Sequence, residues 1–396
     1  MTTIVVGGGI AGAVTALALH RAGIKATIYE SYPDAPDDTG GLLSLAANGV
    51  RALRLLDCLA VLDEVAVPVP DMQVWAPTGR PVGRAPRQGS NLSDIPGVAV
   101  LRGALSAALR AEAERRGVTV RGGARLVAAE TGPDGVLAGF ADGTEASGSV
   151  LVGADGVHSR VRRIIDPDAP GPEYAGVYVL GGTAEGVSLP RATGTFHAVM
   201  AERGMFAFVA AGPDRWWWTA QVQAPTRPDA DAMAAMCSPA LAEHYAGEPA
   251  ALIRATARFH PPTVMNVMAA VPTWHRQRLV AVGDAVHPVD SGIGAALAVE
   301  DGLELARCLR DVPDPVAALA RFEALRRPRI DPLVRFGSRN KRSKTPGPVA
   351  RWFRRTTMPV LMPLAMRMAG TRFAGRMFTY DVDWDAPVAE PTTSLR

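Results

Sequence analysis

The hydrophobic pattern at the start of the chain predicts a strand, a tight turn, a helix and a second strand. Residues 4–6 are continuously apolar, as in a buried strand, and the helical pattern that follows places Val14 and Leu17 on one face. The pattern returns to a strand over residues 26–29, and this strand ends at Glu30. This order predicts a β-α-β unit, in which a helix connects two parallel strands.

Three glycines occupy the predicted turn between the first strand and the helix. Gly7, Gly9 and Gly12 have the spacing G-x-G-x-x-G, and Glu30 follows about 20 residues later. In a turn of this kind the first glycine permits the tight bend, the second lets a pyrophosphate approach, and the third allows close packing. The helix N-terminus offers free N–H groups to phosphates, and Glu30 can accept hydrogen bonds from a ribose. The unit therefore predicts a bound dinucleotide, and it leaves NAD and FAD both open.

The middle of the chain has a different pattern. Residues 171–271 alternate apolar and polar positions between Gly and Pro turns, which predicts an antiparallel sheet with one helix near residues 232–246. Residues 68–97 are rich in Pro, Gly and polar side chains and are predicted to extend into the same domain. Alternation places Trp216 and Trp218 on one face of this sheet. These tryptophans fit the core of the sheet, and the floor of an aromatic substrate pocket is the alternative.

Composition and charge narrow the class of protein. The chain has 396 residues, of which 48% are hydrophobic and 20% are charged, and this is enough for two hydrophobic cores. A formal charge of +3 gives no reason to expect a nucleic-acid partner. The three cysteines are far apart, so we expect neither a disulfide framework nor a metal site, and a reducing cytoplasm fits this composition. We also expect no signal peptide and no transmembrane segment.

One segment near the C-terminus combines arginines with large apolar residues. Residues 351–378 read as part of a helical layer that packs on the main domain. A weak contact with a membrane surface is the alternative that this composition leaves open.

Two further motifs follow predicted strands. Residues 153–162 read GADGVHSRVR, residues 283–288 read GDAVHP, and Gly292 and Gly294 precede a predicted helix. Together with the glycine turn, these motifs resemble the three signatures of the group A FAD-dependent monooxygenases, the para-hydroxybenzoate hydroxylase-like flavoproteins. Fainter similarities are Arg102 in an R-x-x-L helix start and the Tyr-Asp pair that begins at residue 380. The resemblance extends over roughly the whole chain.

The resemblance implies FAD as the cofactor and gives roles to particular residues. Asp155 is implied to shape the flavin and NAD(P)H side of the cleft, although capping of the next helix explains it equally well. Asp284 is implied to bind ribityl or ribose hydroxyls, and Gly292 and Gly294 to bring the backbone close to the flavin ring. The chain departs from the family pattern between residues 290 and 296, where Asp-Ser replaces the expected second proline. No catalytic residue and no metal ligand can be named. The candidate cofactor-binding residues are Gly7, Gly9, Gly12, Glu30, Arg102, Leu126, Asp155, Asp284, Gly292 and Gly294.

The fold implied by the resemblance is α/β. A Rossmann-like FAD-binding domain contains an inserted substrate domain with an antiparallel sheet, and helices follow at the C-terminus. We assign residues 1–67, 98–170 and 272–345 to the FAD-binding domain. The substrate domain comprises residues 68–97 and 171–271, and residues 346–396 form a C-terminal helical segment.

The implied function is that of an FAD monooxygenase dependent on NAD(P)H and O2. The flavin would be reduced by NAD(P)H, react with O2 and pass one oxygen atom to a small aromatic or polycyclic substrate. NAD(P)H would bind transiently, since the chain contains no second complete dinucleotide fingerprint. Two alternatives remain open: a related FAD-dependent reductase or cyclase without oxygen transfer, and a flavin-binding sensor without catalysis.

Overall fold

The computed structural model describes residues 1–33, 40–201, 204–289, 292–339 and 377–388. The strands are β1 (Thr2–Val6), β2 (Lys25–Tyr29), β3 (Leu42–Leu45), β4 (Ala66–Pro68), β5 (Asp71–Trp75), β6 (Pro81–Pro86), β7 (Val98–Leu101), β8 (Thr119–Arg121), β9 (Leu126–Thr131), β10 (Val136–Phe140), β11 (Glu145–Gly148), β12 (Val150–Gly153), β13 (Glu173–Glu185), β14 (Thr195–Ala201), β15 (Gly204–Ala210), β16 (Arg215–Gln223), β17 (Thr256–Val267), β18 (His275–Arg276) and β19 (Leu279–Ala281). The helices are α1 (Ile10–Arg21), α2 (Ala47–Leu55), α3 (Leu59–Val65), α4 (Arg102–Arg115), α5 (Arg160–Ile165), α6 (Ala230–Ala235), α7 (Gly247–Arg254), α8 (Gly294–Asp311) and α9 (Pro315–Arg339).

A six-stranded, mostly parallel sheet forms the first core. Its strand order is β18-β19-β12-β1-β2-β8, and only the edge strand β18 runs antiparallel to its neighbour. The inner strands are continuously apolar because both faces of the sheet are buried. The three-stranded sheet β11-β10-β9 lies against one face, where Phe140 of β10 stacks on Tyr29 of β2 with 4.5 Å between the ring centroids. The six-stranded sheet confirms the α/β fold and the β-α-β unit that the N-terminal pattern predicts.

Small residues let α8 pack closely against its neighbours. A Cβ atom at Gly302 would lie 3.0 Å from the backbone nitrogen of Thr15 in α1, and one at Gly49 of α2 would lie 2.8 Å from the Cβ of Ala296. These distances leave no room for a larger side chain at either glycine. The close packing places α1 and α8 side by side.

A seven-stranded sheet forms the second core. Its order is β17-β13-β16-β15-β14-β5-β6, and all of its pairs are antiparallel except β14 with β5. The prediction of one helix near residues 232–246 is wrong. α6 ends at Ala235, a 3-10 turn covers Pro239–His244, and α7 begins at Gly247. The separation has a physical reason, because proline inside a helix removes a hydrogen bond and clashes with the preceding turn.

The two faces of the seven-stranded sheet have different neighbours. Trp216 and Trp218 are buried on the outer face, where they join a core with Leu252 and Ile253 of α7. This confirms both the predicted alternation and the assignment of these two tryptophans to the sheet core. Trp217 lies on the other face, which we call the inner face.

The inner face contacts the small sheet β3-β7-β4, which follows the first β-α-β unit along the chain. Phe196, Val209 and Trp217 from the large sheet pack in one cluster with Leu42 and Ala99 from the small sheet. The inner face is therefore turned toward the strands that lead into the parallel domain.

The C-terminus is described at residues 377–388. Arg51 of α2 donates a hydrogen bond to the Asp381 carboxylate at 2.5 Å, and the Tyr380 hydroxyl donates one to Glu304 of α8 at 2.6 Å. Trp384 is buried, so this part of the terminus packs on the parallel domain. The predicted helical segment of residues 346–396, including the basic-apolar residues 351–376, otherwise lies outside the described residues.

Candidate active site

The three motifs meet at one edge of the parallel sheet. Val6 of β1 pairs with Gly153 of β12, and Gly153 pairs with Ala281 of β19. Because these strands are parallel, the segments that follow them emerge at the same carboxyl edge, where open α/β sheets bind their ligands. The segments that contain Gly7, Asp155 and Asp284 are thus brought to the same edge of the sheet.

The glycine turn has the geometry that its spacing predicts. Gly7 has a φ of +103°, and a Cβ atom there would lie 2.4 Å from the Ala154 carbonyl oxygen. A Cβ atom at Gly12 would lie 1.9 Å from the Gly7 carbonyl oxygen. At Gly9, by contrast, no atom of the described residues lies within 4 Å of such a Cβ, and no side chain among them caps the helix that begins next to it. The turn therefore combines tight packing on one side with open space at the helix N-terminus, and this fits a pyrophosphate.

Glu30 lies directly beside the glycine turn. Its carboxylate accepts hydrogen bonds from the backbone N–H of Gly8 at 2.6 Å and of Tyr32 at 3.0 Å, and from the Ser31 hydroxyl at 3.1 Å. Arg110 of α4 donates a hydrogen bond to the Gly8 carbonyl from the other side, at 2.8 Å. Glu30 is thus held where a ribose attached to the pyrophosphate would lie, and its contact with the ribose stays a prediction.

Asp155 caps the helix that follows it. Its carboxylate accepts hydrogen bonds from the backbone N–H groups of Arg160, at 2.6 Å, and Val161, at 3.1 Å. Arg162 in the same helix donates a hydrogen bond at 2.7 Å to the carbonyl of Ala285, within the third motif. The structure therefore bears out the capping interpretation of Asp155 and ties the second motif to the third, while its contact with cofactor stays a prediction.

Asp284 faces the N-terminus of α8. A Cβ atom at Gly294, the first residue of that helix, would lie 3.7 Å from Asp284 Oδ1 and 3.2 Å from the Val289 carbonyl oxygen. Gly292 has a φ of +70°, which favours glycine. A carboxylate beside open helix N–H groups can bind hydroxyls while the helix end binds an oxygen with negative charge. The altered residues Asp290 and Ser291 lie outside the described residues.

The third motif rests on a buried charge cluster. His287 Nε2 and Asp301 Oδ2 are 2.5 Å apart, and both side chains are fully buried. Asp301 also accepts hydrogen bonds from the Gly283 N–H at 2.9 Å and from Arg326 at 2.8 Å. Burial by itself would raise the pKa of Asp301, but the facing His287 and Arg326 outweigh it and hold that pKa well below its usual range. His287 therefore fixes the third motif to Asp301 of α8 in the interior of the protein.

Two candidates from the sequence lie in other surroundings. Leu126 is buried in the main hydrophobic core, and its backbone pairs with Phe140. Arg102 is exposed at the start of α4, and its backbone N–H donates to the Gly41 carbonyl at 3.2 Å. Cofactor contacts by either residue stay predictions.

The sequence reasoning missed four polar residues at the inner face of the seven-stranded sheet. Ser44, Arg87 and Gln88 form one hydrogen-bonded group beside Gly292. His260 is buried on β17, 3.1 Å from the Thr183 hydroxyl. For Ser44 and His260 the local signal is a polar residue within a strand, and this signal does not tell which face the residue occupies. Arg87 and Gln88 follow β6, so no strand pattern marks them.

Comparison with known proteins agrees with this geometry. Residues 1–337 match the family model for the FAD binding domain, and the chain belongs to this family of flavoproteins. An aurachin C monooxygenase/isomerase from Stigmatella aurantiaca is 30% identical over 348 residues, which cover 84% of this chain and 87% of the relative. A 3-amino-4-hydroxybenzoate 2-monooxygenase from Streptomyces platensis is 33% identical over 347 residues, covering 82% and 84% of the two chains.

The fold is also found among solved structures. HpxO of Klebsiella pneumoniae, solved with FAD and uric acid, superimposes with a TM-score of 0.80 at 24% identity, over 96% of each chain. FAD is therefore the cofactor of this protein, and the protein is an FAD-dependent enzyme of the monooxygenase type. Among the helices of the described residues, none has the length and apolar content required to span a bilayer.

Proposed function

We propose that this enzyme uses NAD(P)H and O2 to insert one oxygen atom into a small aromatic or polycyclic substrate. The observation that carries the substrate class is the inner face of the large sheet. It presents Phe196, Met205 and Trp217 next to the small sheet β3-β7-β4. Arg87 stacks on Phe196, and the adjacent Gln88 donates to Gly292 of the third motif. Apolar and aromatic side chains of this kind bind planar ring systems. The aromatic substrates named for the relatives support the same class.

The residues of the chain would hold the cofactor at the carboxyl edge of the parallel sheet. Bound FAD accepts a hydride, reacts with O2 and supplies the oxygen atom, so the protein contributes binding, orientation and exclusion of water. We assign the pyrophosphate to the turn around Gly9, the ribose to Glu30, and the ribityl hydroxyls to Asp284. The N-terminus of α8 would then stabilise negative charge on the ring edge that it faces. The remaining candidates, Arg102, Leu126, Asp155, Gly292 and Gly294, are proposed to line this path.

We further propose the domain assignment inferred from the sequence, with residues 68–97 and 171–271 as the substrate domain. NAD(P)H is proposed to bind transiently, and a cytoplasmic location is proposed because the cysteines of the chain are free thiols. Cell fractionation with a tagged full-length chain tests the location.

Oxygen labelling separates the proposed function from its alternatives. The holoenzyme is incubated with a panel of hydroxylated aromatic acids, NADH or NADPH, and O2 labelled with oxygen-18. We expect ligand-stimulated oxidation of the nicotinamide and a product that gains one labelled oxygen atom. A converted product without the label indicates the reductase or cyclase alternative. No conversion and no stimulation across the panel would indicate a flavin-binding sensor.

A further inference from the structure

Arg87 lies at the inner face of the large sheet, where the described residues provide no carboxylate partner for it. No Asp or Glu oxygen among the described residues lies within 4 Å of its guanidinium, which is half-buried. The neighbouring Arg84 on β6 shows the usual arrangement, because it donates to the Asp71 carboxylate at 2.6 Å. Charged side chains removed from water are normally paired, so a partly buried guanidinium without a carboxylate among the described residues is unusual.

The contacts of Arg87 orient it without neutralising it. Its Nε donates to the Ser44 hydroxyl at 3.2 Å, and one terminal nitrogen contacts the Met72 sulfur at 3.3 Å. The guanidinium carbon lies 3.6 Å from the centre of the Phe196 ring. The hydroxyl, the thioether and the aromatic face carry no negative charge, so none of them neutralises the guanidinium. The terminal N–H groups therefore remain available for an oxygen anion.

The charge of Arg87 has an energetic cost that a bound anion would offset. Burial lowers the pKa of the guanidinium to about 9, although it remains protonated at neutral pH. A carboxylate satisfies the planar fork of an arginine with two parallel hydrogen bonds, and the low local dielectric strengthens that contact. The free site would thus be less favourable than the site with an anion in place.

The surroundings of Arg87 also fit the rest of an aromatic ligand. Phe196 and Met72 belong to the inner-face cluster that includes Trp217 and Met205. A cationic fork at the margin of an aromatic and apolar surface matches a ligand with an apolar ring and one anionic group. The same cluster is the surface to which the proposed function assigns the substrate.

We propose that Arg87 binds the carboxylate of an aromatic acid and makes this enzyme selective for acids over their neutral analogues. This inference rests on the proposed function, because it assumes that the ligand of the inner face is the substrate. Ser44 fixes the guanidinium from one side and donates to Gln88 Oε1 at 2.5 Å. Gln88 in turn donates to the Gly292 carbonyl at 2.9 Å. The anion site is therefore joined through two side chains to the segment that precedes α8.

Binding titrations on the oxidised holoenzyme test this proposal without turnover. The probes are 3-amino-4-hydroxybenzoate and 6-hydroxynicotinate, each compared with its carboxamide, and the signal is the perturbation of flavin absorbance or the heat of binding. We expect the wild type to bind at least one acid more tightly than its amide. Arg87→Met should weaken binding of that acid about ten- to hundredfold, the usual result of losing a charge-assisted pair, and leave the affinity for the amide unchanged.

Two further variants provide controls. Arg87→Lys keeps the charge but loses the fork, so we expect an intermediate affinity. Arg84→Met removes a paired, more exposed arginine nearby, and we expect it to bind like the wild type. FAD content and thermal unfolding of each variant establish that it folds, and Arg87→Lys serves for the comparison if Arg87→Met does not fold.

The outcomes are decisive in both directions. Equal affinity of the wild type for acid and amide on both ring systems overturns the proposal, and so does an unchanged acid affinity in both Arg87 variants. The proposed function fails separately, in the oxygen-labelling experiment. Selective binding of acids through Arg87 without oxygen transfer would leave this inference standing, whereas oxygenation that prefers neutral substrates would overturn it alone.

Discussion

The side-chain amide of Gln88 donates a hydrogen bond to the backbone carbonyl of Gly292, with 2.9 Å between nitrogen and oxygen. Residues 204 positions apart in the sequence are thereby joined where the large sheet meets the third cofactor motif. Gln88 makes this contact from a strained backbone, because its φ is +43°.

A pair of substitutions at Gln88 distinguishes the effect of losing its hydrogen bonds on stability from the effect of its strained backbone. Gln88→Ala and Gln88→Gly both remove the amide, but glycine tolerates the positive φ and alanine does not. We expect Gln88→Ala to be less stable than Gln88→Gly by about 1 kcal/mol, measured by urea unfolding of the holoenzyme. Equal stability of the two variants would show that the left-handed backbone at this position carries no cost.

Glu30 provides a direct test of the nucleotide site. Glu30→Ala should weaken FAD binding roughly ten- to hundredfold, because a charge-assisted hydrogen bond to the ribose is lost. The glutamine of Glu30→Gln can still accept hydrogen bonds, so its affinity for FAD should lie between those of Glu30→Ala and the wild type. Titration of the apoprotein with FAD measures the affinities. Ser31→Ala, which leaves the carboxylate in place, is the control, and an unchanged affinity in Glu30→Ala would remove this residue from the site.

Asp284 and Asp155 are expected to respond differently to loss of charge. Asp284→Asn should weaken FAD binding about ten- to hundredfold with little change in the stability of the apoprotein. Asp155→Ala removes a helix cap and should lower that stability by about 0.5–2 kcal/mol. FAD titration and urea unfolding of both apoproteins give the comparison. A loss of apoprotein stability in Asp284→Asn, with FAD affinity retained, would reassign Asp284 to a structural role.

The buried cluster around Asp301 predicts a large effect on stability. Asp301→Asn leaves the buried His287 without its anionic partner and removes one of two carboxylates that Arg326 contacts in the interior, the other being that of Glu300. Breaking a buried ion pair in this way typically costs about 3–5 kcal/mol. Urea unfolding of the holoenzyme measures the change, with the exposed Glu130→Gln as control, expected within about 0.5 kcal/mol of the wild type. A comparably small change in Asp301→Asn would contradict the ion pairs of this cluster.

From the buried His197 we predict that the stability of the folded chain decreases at acid pH, independently of the cofactor. Burial lowers its pKa from 6.5 to about 4, and the Trp75 indole donates a hydrogen bond to its Nδ1 at 3.2 Å. Between these pH values the unfolded chain binds a proton at this position and the folded chain does not, so stability falls as the pH falls through this window. His197 is expected to lower the free energy of unfolding by roughly 1–3 kcal/mol across this window.

Substitution of His197 should remove that pH dependence. His197→Asn keeps an acceptor for Trp75 but does not titrate, so we expect its stability to change less between pH 7 and pH 5 than that of the wild type. Unfolding in urea at both pH values measures this difference, and the exposed His20→Asn is the control. The same slope in His197→Asn and the wild type would place the acid-sensitive group elsewhere.

The local pattern of the sequence was sufficient to predict the nucleotide site. The strand, the glycine spacing and Glu30 lie within 30 residues. Each glycine satisfies a steric requirement of the same turn, so the unit can be recognised without the rest of the chain. The alternation of residues 216–218 likewise determined which tryptophans enter the sheet core, because the side-chain period of a strand is two. The order of the motifs was sufficient to predict the family.

Only the tertiary structure decided how the remaining parts meet. The parallel pairing of β5 with β14 joins segments more than 100 residues apart, and no local periodicity encodes the choice of a strand's partner. Ser44, Arg87, Phe196 and Gly292 come together for the same reason, since each belongs to a different segment. That no carboxylate of the described residues pairs with Arg87 could not be seen in the sequence, because the pairing of a charge depends on which side chains surround it after folding.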